Sequence, residues 1–389
     1  MLKGIIMKIL QVIPVFSLRF GGPVAVVRSI SKELAKKHDV TVYTTCALDQ
    51  RRDFRSEPFE VKTDGYRVVY FPRILKFSRF NVSPAMASAL RETLHEYDVI
   101  HLHSWRHFQD IAVHHYARKY GIPYVLQTHG SLPRVMAWRR LKLIYDTLFG
   151  IRLLRDASKV IALNKTEAQQ YRGMGVPEEK IKIIPNGIDL SEYDDLPPKG
   201  TFKKKFGIDK DERIVLYLGR IHQSKGLDLL AKAFSIVTKE LDKVRLVVIG
   251  PDDGYVAKFL KLLSDLEITN KVLMTGFVEK RDKIAALVDS DVFVTPSFYG
   301  FPVTFLEACL AGCPIVTTSN ELDWIHNNVG YITKNSPIAL AKAIYNILQN
   351  ETVREKIRNN CKVTIKNFDI STIASLLEDT YKSVMKSHA

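Results

Sequence analysis

One pattern constrains this chain more than any other. Short runs rich in β-branched residues alternate with longer runs of helical period, and the alternation occurs twice. Strand-like runs fall at 8–13, 40–44, 66–71, 99–102, 124–128 and 159–163, with helical runs at 24–37, 84–97, 109–120 and 166–174. A second series has strands at 213–218, 244–249, 272–275, 292–295 and 315–318, with helices at 227–240, 255–266, 280–288 and 303–311. Runs such as Ile-Val-Leu-Tyr-Leu (214–218) are apolar throughout, as strands covered on both faces must be. Strand–helix repetition implies parallel sheets. The rhythm breaks over 185–212, where Pro185-Asn186-Gly187 and Pro197-Pro198-Lys199-Gly200 are turn signals. The expected fold class is α/β, with two doubly wound, Rossmann-like domains facing a cleft: a first domain at 1–195 and a second at 196–369. Only helices are expected from 336 onward.

A length of 389 residues suits two domains, and 46% hydrophobic residues can fill two cores. No apolar run reaches the roughly eighteen residues of a membrane span. The opening stretch, interrupted by Lys8 and without a small-residue cleavage site, reads as a first strand, with Met7 an alternative start. Four scattered cysteines suit a reducing cytosol. The net charge of +15 favours acidic partners. No RNA-binding signature, zinc finger or basic tail accompanies it, so nucleic acid is not expected.

Four segments carry chemistry. Gly21 and Gly22, before Pro23 and a helix, would let backbone approach an anion at a helix N-terminus. An ordinary strand–helix turn is the alternative, and taken alone the commoner one. The dinucleotide pattern G-x-G-x-x-G is absent. Arg220 and Lys225, bracketed by Gly219 and Gly226 between a strand and a helix, suit a clamp on two phosphates. A solvated basic loop is the alternative, which the bracketing glycines disfavour, and no Walker loop is present. In the third segment, Tyr299-Gly300-Phe301-Pro302 leads to Glu307, whose carboxylate would accept ribose hydroxyls or cap helix N–H groups. In the fourth, His101, His103 and His129 lie at strand ends. A metal shared by His101 and His103 with His107, His114 or His115 is the lesser reading beside satisfied strand-end polar groups. Asp209–Asp211 and Asp289–Asp291 precede strands, the wrong end for a metal–diphosphate site, so no metal cofactor is expected. The stretch 134–155 is basic, aromatic and amphipathic. It suits an anionic membrane surface or a buried helix pair with solvated Arg heads.

In order and spacing these segments resemble family 4 of the retaining glycosyltransferases, whose architecture is GT-B. The resemblance spans nearly the whole chain. It rests on GGPVAVVRSISKELAKKHDVTVYTT (21–45), VIHLHSW, QTHG, KVIALNKTEAQQY (159–171), IKIIPNGID (181–189), LGRIHQSKGLDLL (218–230), VVIGPDDG (247–254), VLMTGFV (272–278) and PSFYGFPVTFLEACLAGCPIV (296–316). It implies a nucleoside-diphosphate-sugar donor whose diphosphate meets Arg220 and Lys225. It also implies closure of the Gly22 loop, a ribose contact at Glu307, nucleobase-edge contacts at the backbone of Phe277 and Val278, and His129 near the transferred sugar. The C-terminal helix, 370–389, would return to the first domain. A sugar or lipid-linked acceptor and a cytoplasmic location, with peripheral contact to the inner face of the membrane, complete the expectation.

One departure bears on the sugar end. The family signature has two glutamates eight positions apart, and counting back from Glu307 reaches Tyr299. A phenol hydrogen-bonds but carries no charge at neutral pH. A degenerate protein that binds nucleotide sugar with little turnover therefore stands as a rival to a transferase, and a sugar-nucleotide epimerase is a second, separate one.

Overall fold

The computed structural model describes residues 5–17, 21–45, 57–77, 80–134, 138–298, 300–326 and 329–386. Phe20, Cys46 and Tyr299 lie outside the described residues. The chain divides into two compact units, 1–188 with 370–389, and 189–369.

The first unit is built on strands β1 (Lys8–Val12), β2 (Asp39–Thr45), β3 (Phe59–Thr63), β4 (Tyr66–Phe71), a small hairpin β5 (Leu75–Phe77) and β6 (Phe80–Val82), then β7 (Val99–His103), β8 (Tyr124–Gln127), β9 (Lys159–Ala162) and β10 (Ile181–Ile183). Eight of them form one sheet in the order β10-β9-β8-β7-β1-β2-β4-β3. All neighbours are parallel except β3 with β4. Helices α1 (Gly22–Leu34), α2 (Pro84–Thr93), α3 (Phe108–Tyr120), α4 (Arg139–Tyr145), α5 (Ile151–Asp156) and α6 (Lys165–Gly173) make the crossovers. Leu10, Ile100, Leu126 and Val160 line the core on successive strands, each fully buried. Each such side chain contributes about 1.5–3 kcal/mol relative to exposure.

The second unit opens with α7 (Thr201–Phe206), then alternates: β11 (Arg213–Leu218), α8 (Leu227–Glu240), β12 (Val244–Ile249), α9 (Val256–Asp265), β13 (Val272–Gly276), α10 (Lys280–Asp289), β14 (Val292–Val294), α11 (Val303–Leu310), β15 (Ile315–Thr317) and β16 (Gly330–Ile332). Helices α12 (Pro337–Gln349) and α13 (Glu351–Thr364) follow. The sheet is wholly parallel in the order β13-β12-β11-β14-β15-β16. Its direction of growth reverses between β11 and β14, the switch point where open α/β sheets hold ligands.

The last helix, α14 (Ile370–Lys386), packs on α1 and belongs to the first unit. Its register is set at the start, where the Ile370 amide donates to the Ile188 carbonyl at 3.0 Å. It buries Ile370, Ile373, Leu377, Tyr381 and Val384.

The junction falls at Ile188–Asp189 rather than after residue 195. Side-chain contacts explain the shift: the Tyr193 hydroxyl donates to Glu307 at 2.9 Å, and Lys280 pairs with Glu192. Composition marks a turn-rich stretch but not which side its side chains bind. Sheet edges also escape sequence pattern. Strand β3 is largely exposed, and β10 and β16 have three residues each, too few for periodicity to register.

Candidate active site

Because the second sheet is parallel, the loops after β11, β12, β13 and β14 all emerge at one end. The loop after β11 carries Arg220 and Lys225. It crosses the loop after β12 so closely that a Cβ on Gly250 would stand 1.9 Å from the Gly219 carbonyl oxygen. Only a glycine fits there. The crossing is stitched by Ile221 N–H to the Pro251 carbonyl (2.9 Å) and Asp253 N–H to the Ile221 carbonyl (3.0 Å). Arg220 is thereby brought to Asp253, with which it forms an ion pair, both side chains about two-fifths exposed. His222 caps the turn that follows, its Nδ1 accepting from the Ser224 amide at 3.1 Å. Lys225 ends that turn, and Gly226, with φ +70°, swings the chain into α8. A Cβ at Gly226 would meet Pro296 Cβ at 2.9 Å. The basic loop thus lies against the loop after β14, at the switch point.

Glu307 sits inside α11 with 5% exposure. Its Oε1 accepts from Tyr193 Oη at 2.9 Å and from Lys283 Nζ at 2.5 Å. It does not cap its helix, which settles one of the two local readings: Pro302 is the N-cap and brings no side-chain cap bond. Burial, with the Glu307 carboxylate next, pushes the Tyr193 phenol well above its ordinary value. Gly300 N–H points to Glu321 Oε2 at 3.3 Å. Phe301 is buried, stacked on Trp324 with centroids 6.0 Å apart, so its ring is structural and only its backbone is available to a ligand. Phe277 and Val278 follow β13, and Phe277 is 59% exposed. Asp252 accepts from the amides of Gly254, Tyr255 and Val256, and the Val256 bond above all lowers its pKa.

The first unit gathers its polar groups at the ends of β1, β7 and β8. His103 Nδ1 lies 3.1 Å from His129 Nε2, and His103 Nε2 lies 2.5 Å from Gln11 Oε1. His101 Nδ1 lies 2.7 Å from the Tyr381 hydroxyl of α14. Burial lowers all three histidines, His101 to about 3 and His129 to about 4. His129 has φ +51°, uncommon for a side chain of its size. Glu167 holds that turn: its Oε1 accepts from Thr128 Oγ1 and the Gly130 amide, each at 2.7 Å. Burial raises the Glu167 pKa. His107 is the N-cap of α3 and His114 lies 2.8 Å from Asp156, so neither joins His101 and His103. Among the described residues no group of three or more His, Cys, Asp and Glu is placed to share a metal ion. Asp289 and Asp291 bind backbone amides of 200, 203 and 214.

Gly21, with φ +92°, is the N-cap of α1, Gly22 its first residue and Pro23 its second. The stretch from 138 to 156 does not form a buried helix pair. Helix α4 buries none of its residues, and Trp138, Leu141, Ile144 and Leu148 are exposed beside Arg139, Arg140 and Lys142. One buried carboxylate, Asp146, anchors the segment through Arg106 at 2.9 Å and Arg134 at 2.7 Å. Among the described residues no helix is long and apolar enough to cross a membrane.

Sequence motifs locate Arg220, Lys225, His129 and Glu307 but not the groups that hold them. Asp253, Lys283, Tyr193, Gln11 and Tyr381 are such groups, held in place by contacts distant in sequence. Asp253 alone had a signal, in the GPDDG turn.

Comparison with known proteins places this geometry. The profile of Glycosyltransferase Family 4 matches residues 20–192, and that of Glycosyl transferases group 1 matches residues 198–364. An uncharacterized glycosyltransferase of Methanocaldococcus jannaschii is 29% identical over 308 residues, 75% of this chain and 76% of the relative. The UDP-Gal:alpha-D-GlcNAc-diphosphoundecaprenol alpha-1,3-galactosyltransferase of Escherichia coli is 26% identical over 74% of this chain and 75% of its own. Among solved structures, Anabaena HepE in complex with UDP and glucose superposes with a TM-score of 0.79 at 21% identity, covering 97% of this chain and all of that one. A sucrose-phosphate synthase from Thermosynechococcus elongatus gives 0.79 at 19%, over 98% of this chain and all of that one. The two family profiles follow one another along most of the sequence, on two parallel α/β units of the GT-B class, and the chain therefore belongs to the group 1, family 4 glycosyltransferases.

Proposed function

We propose that this glycosyltransferase takes its sugar from a nucleoside-diphosphate donor and delivers it, with retention, to a hydroxyl of a sugar or lipid-linked acceptor. The observation that carries the reading is Arg220, fixed above the switch point with Lys225 in the same loop. The Arg220–Asp253 pair is exposed, and such pairs contribute about 0–1 kcal/mol, so phosphate oxygens can displace Asp253 at little cost. As the glycosidic bond breaks, charge grows on the β-phosphate, where Arg220, Lys225 and the N-terminus of α8 stabilise it. The leaving phosphate would take the acceptor proton. Glu307 meets the ribose through the oxygen not engaged by Lys283 and Tyr193, the backbone of Phe277 and Val278 meets the base, and His129 meets the sugar. The Gly21-Gly22 turn offers backbone N–H groups to the donor, and the backbone at Gly300 and Phe301 lines its sugar end. No metal is needed where two cations neutralise the diphosphate, and turnover that survives a chelator is the matching check.

Related enzymes support a lipid-linked acceptor. One acts on a diphosphoundecaprenol substrate, and another is a GDP-mannose-dependent phosphatidylinositol monomannoside mannosyltransferase, 23% identical over 77% of this chain. The exposed apolar and basic face of α4 suits an anionic membrane surface, which would make the protein cytoplasmic and peripheral. A thermal-shift screen of UDP-, GDP- and ADP-sugars would name the donor by mass action. Replacing Arg220 and Lys225 together by alanine should cut transfer by orders of magnitude and leave the melting temperature nearly unchanged. Transfer at the wild-type rate sinks the mechanism. Tyr299, in place of the first signature glutamate, supports a second reading as a binding protein with little turnover. Transfer gained only in Tyr299→Glu would favour it.

A further inference from the structure

A hydrogen-bonded chain in the first unit ends at both sides on a buried ring nitrogen that has no partner among the described residues, His101 Nε2 and His129 Nδ1. The other His129 nitrogen, Nε2, faces His103 Nδ1, and His103 Nε2 faces Gln11 Oε1. Gln11 donates its amide N–H to the Tyr381 hydroxyl at 3.5 Å, and that hydroxyl lies 2.7 Å from His101 Nδ1. Gln11, His101, His103 and Tyr381 are all buried, so solvent does not compete for these groups.

The polarity of the chain follows atom by atom. A carbonyl oxygen only accepts, so His103 Nε2 carries the hydrogen. Burial keeps His103 neutral, its Nδ1 therefore holds a lone pair, and it accepts from His129 Nε2–H. His129 is neutral for the same reason, which leaves its Nδ1 as an acceptor. At the far end the Tyr381 oxygen accepts from Gln11, and its own hydrogen goes to His101 Nδ1. Turning the Gln11 amide over would invert every step and make His129 Nδ1 a donor. The orientation in the structure sets the polarity, with the Gln11 amide nitrogen toward Tyr381 and its oxygen toward His103.

We propose that Tyr381 is a positioning residue whose hydroxyl, through Gln11 and His103, holds His129 in the tautomer with an unprotonated Nδ1, presented to a hydroxyl of the transferred sugar. The role rests on the glycosyl-transfer reading above, in which His129 meets the sugar. It also gives the buried, partnerless nitrogen of His129 an occupant, a hydroxyl that donates to it. The C-terminal helix, remote from the diphosphate-binding loops in sequence, thereby contributes to orientation of the sugar.

The test uses the full chain labelled with ¹⁵N-histidine, without ligand, near pH 7.5, with His129 assigned by loss of its signals in His129→Asn. The wild type should show one His129 tautomer, imine-type at Nδ1 and N–H at Nε2. Tyr381→Phe removes only the hydroxyl and should yield a mixture of both tautomers. With the donor found by the nucleotide-sugar screen, kcat should fall about tenfold. The Kd for whichever of UDP, GDP or ADP binds most tightly should stay unchanged. Gln11→Met should reproduce both effects, and the double variant should lose no more than either alone, because both act on one route. Hydrogen on His129 Nδ1 in the wild type, or an unaltered tautomer in both variants, overturns the proposal. Absence of transfer by the wild type with every donor overturns the parent reading and with it the role in sugar orientation, while the spectra still decide the tautomer.

Discussion

Glu307 shows what a single buried carboxylate requires. It is 5% exposed and holds two donors on one oxygen, Tyr193 and Lys283. Removing its charge leaves Lys283 without a counterion in a partly buried site. Glu307→Gln should therefore lower stability by about 1–3 kcal/mol, read from the urea midpoint of the second unit. Tyr193→Phe should cost about 1 kcal/mol, and the pair should be non-additive in a double-mutant cycle. Gly250 makes a sharper demand. An alanine there meets the Gly219 carbonyl, so Gly250→Ala should cost about 3 kcal/mol or more and abolish nucleotide binding along with the loop crossing. Legibility at this scale is uneven. Arg220, Lys225 and Glu307 stand out because glycines and strand ends frame them. Their partners do not, because a bond that spans 114 residues, as from Tyr193 to Glu307, leaves no mark on local spacing.

Among the elements, the apolar strands were the most readable, since burial on both faces of a parallel sheet writes itself as an unbroken apolar run. Elements that bury little were not. Strand β3 alternates Glu and Lys with apolar residues at an exposed edge, and α4 buries nothing. The same exposure makes α4 a clean target. Leu141→Glu with Ile144→Glu should leave stability within about 0.5 kcal/mol. Sedimentation with phosphatidylglycerol vesicles at low salt should fall to background if the segment is the membrane contact. Unchanged sedimentation assigns that contact elsewhere.

For the molecule as a whole, acidity is the natural stress. His101, His103 and His129 are held neutral by burial, His129 with a pKa lowered to about 4. Between their unfolded value, near 6.5, and these lowered values the unfolded chain binds protons that the folded chain does not. The stability they permit is complete above pH 6.5 and is lost as the pH falls toward 4. Melting temperatures measured from pH 7.5 to 4.5 should decline, and the decline should be shallower in a folded His101→Gln variant. A flat profile would show that the histidines titrate normally. Two α/β units could be read from the doubled alternation. That the last helix belongs to the first unit rested on family resemblance alone, because an amphipathic helix does not name the surface it covers.

That return of α14 has a consequence for synthesis. The first unit begins to emerge from the ribosome first, yet it lacks Ile370, Ile373, Leu377 and Tyr381 until all of 189–369 has been made. Domains that fold during translation ordinarily close in order from the N-terminus. Here the second unit is complete while the first still waits, its α1 surface uncovered and its His101 without the tyrosine hydroxyl. A nascent chain stalled at residue 369 should hold a protease-resistant second unit and a protease-sensitive first one. Resistance of both would mean that the early unit closes unaided. Completion of the histidine cluster thus waits for synthesis of 370–386, and a chain cut short before that helix would keep the loops of Arg220 and Lys225 but lack the Tyr381 hydroxyl beside His101.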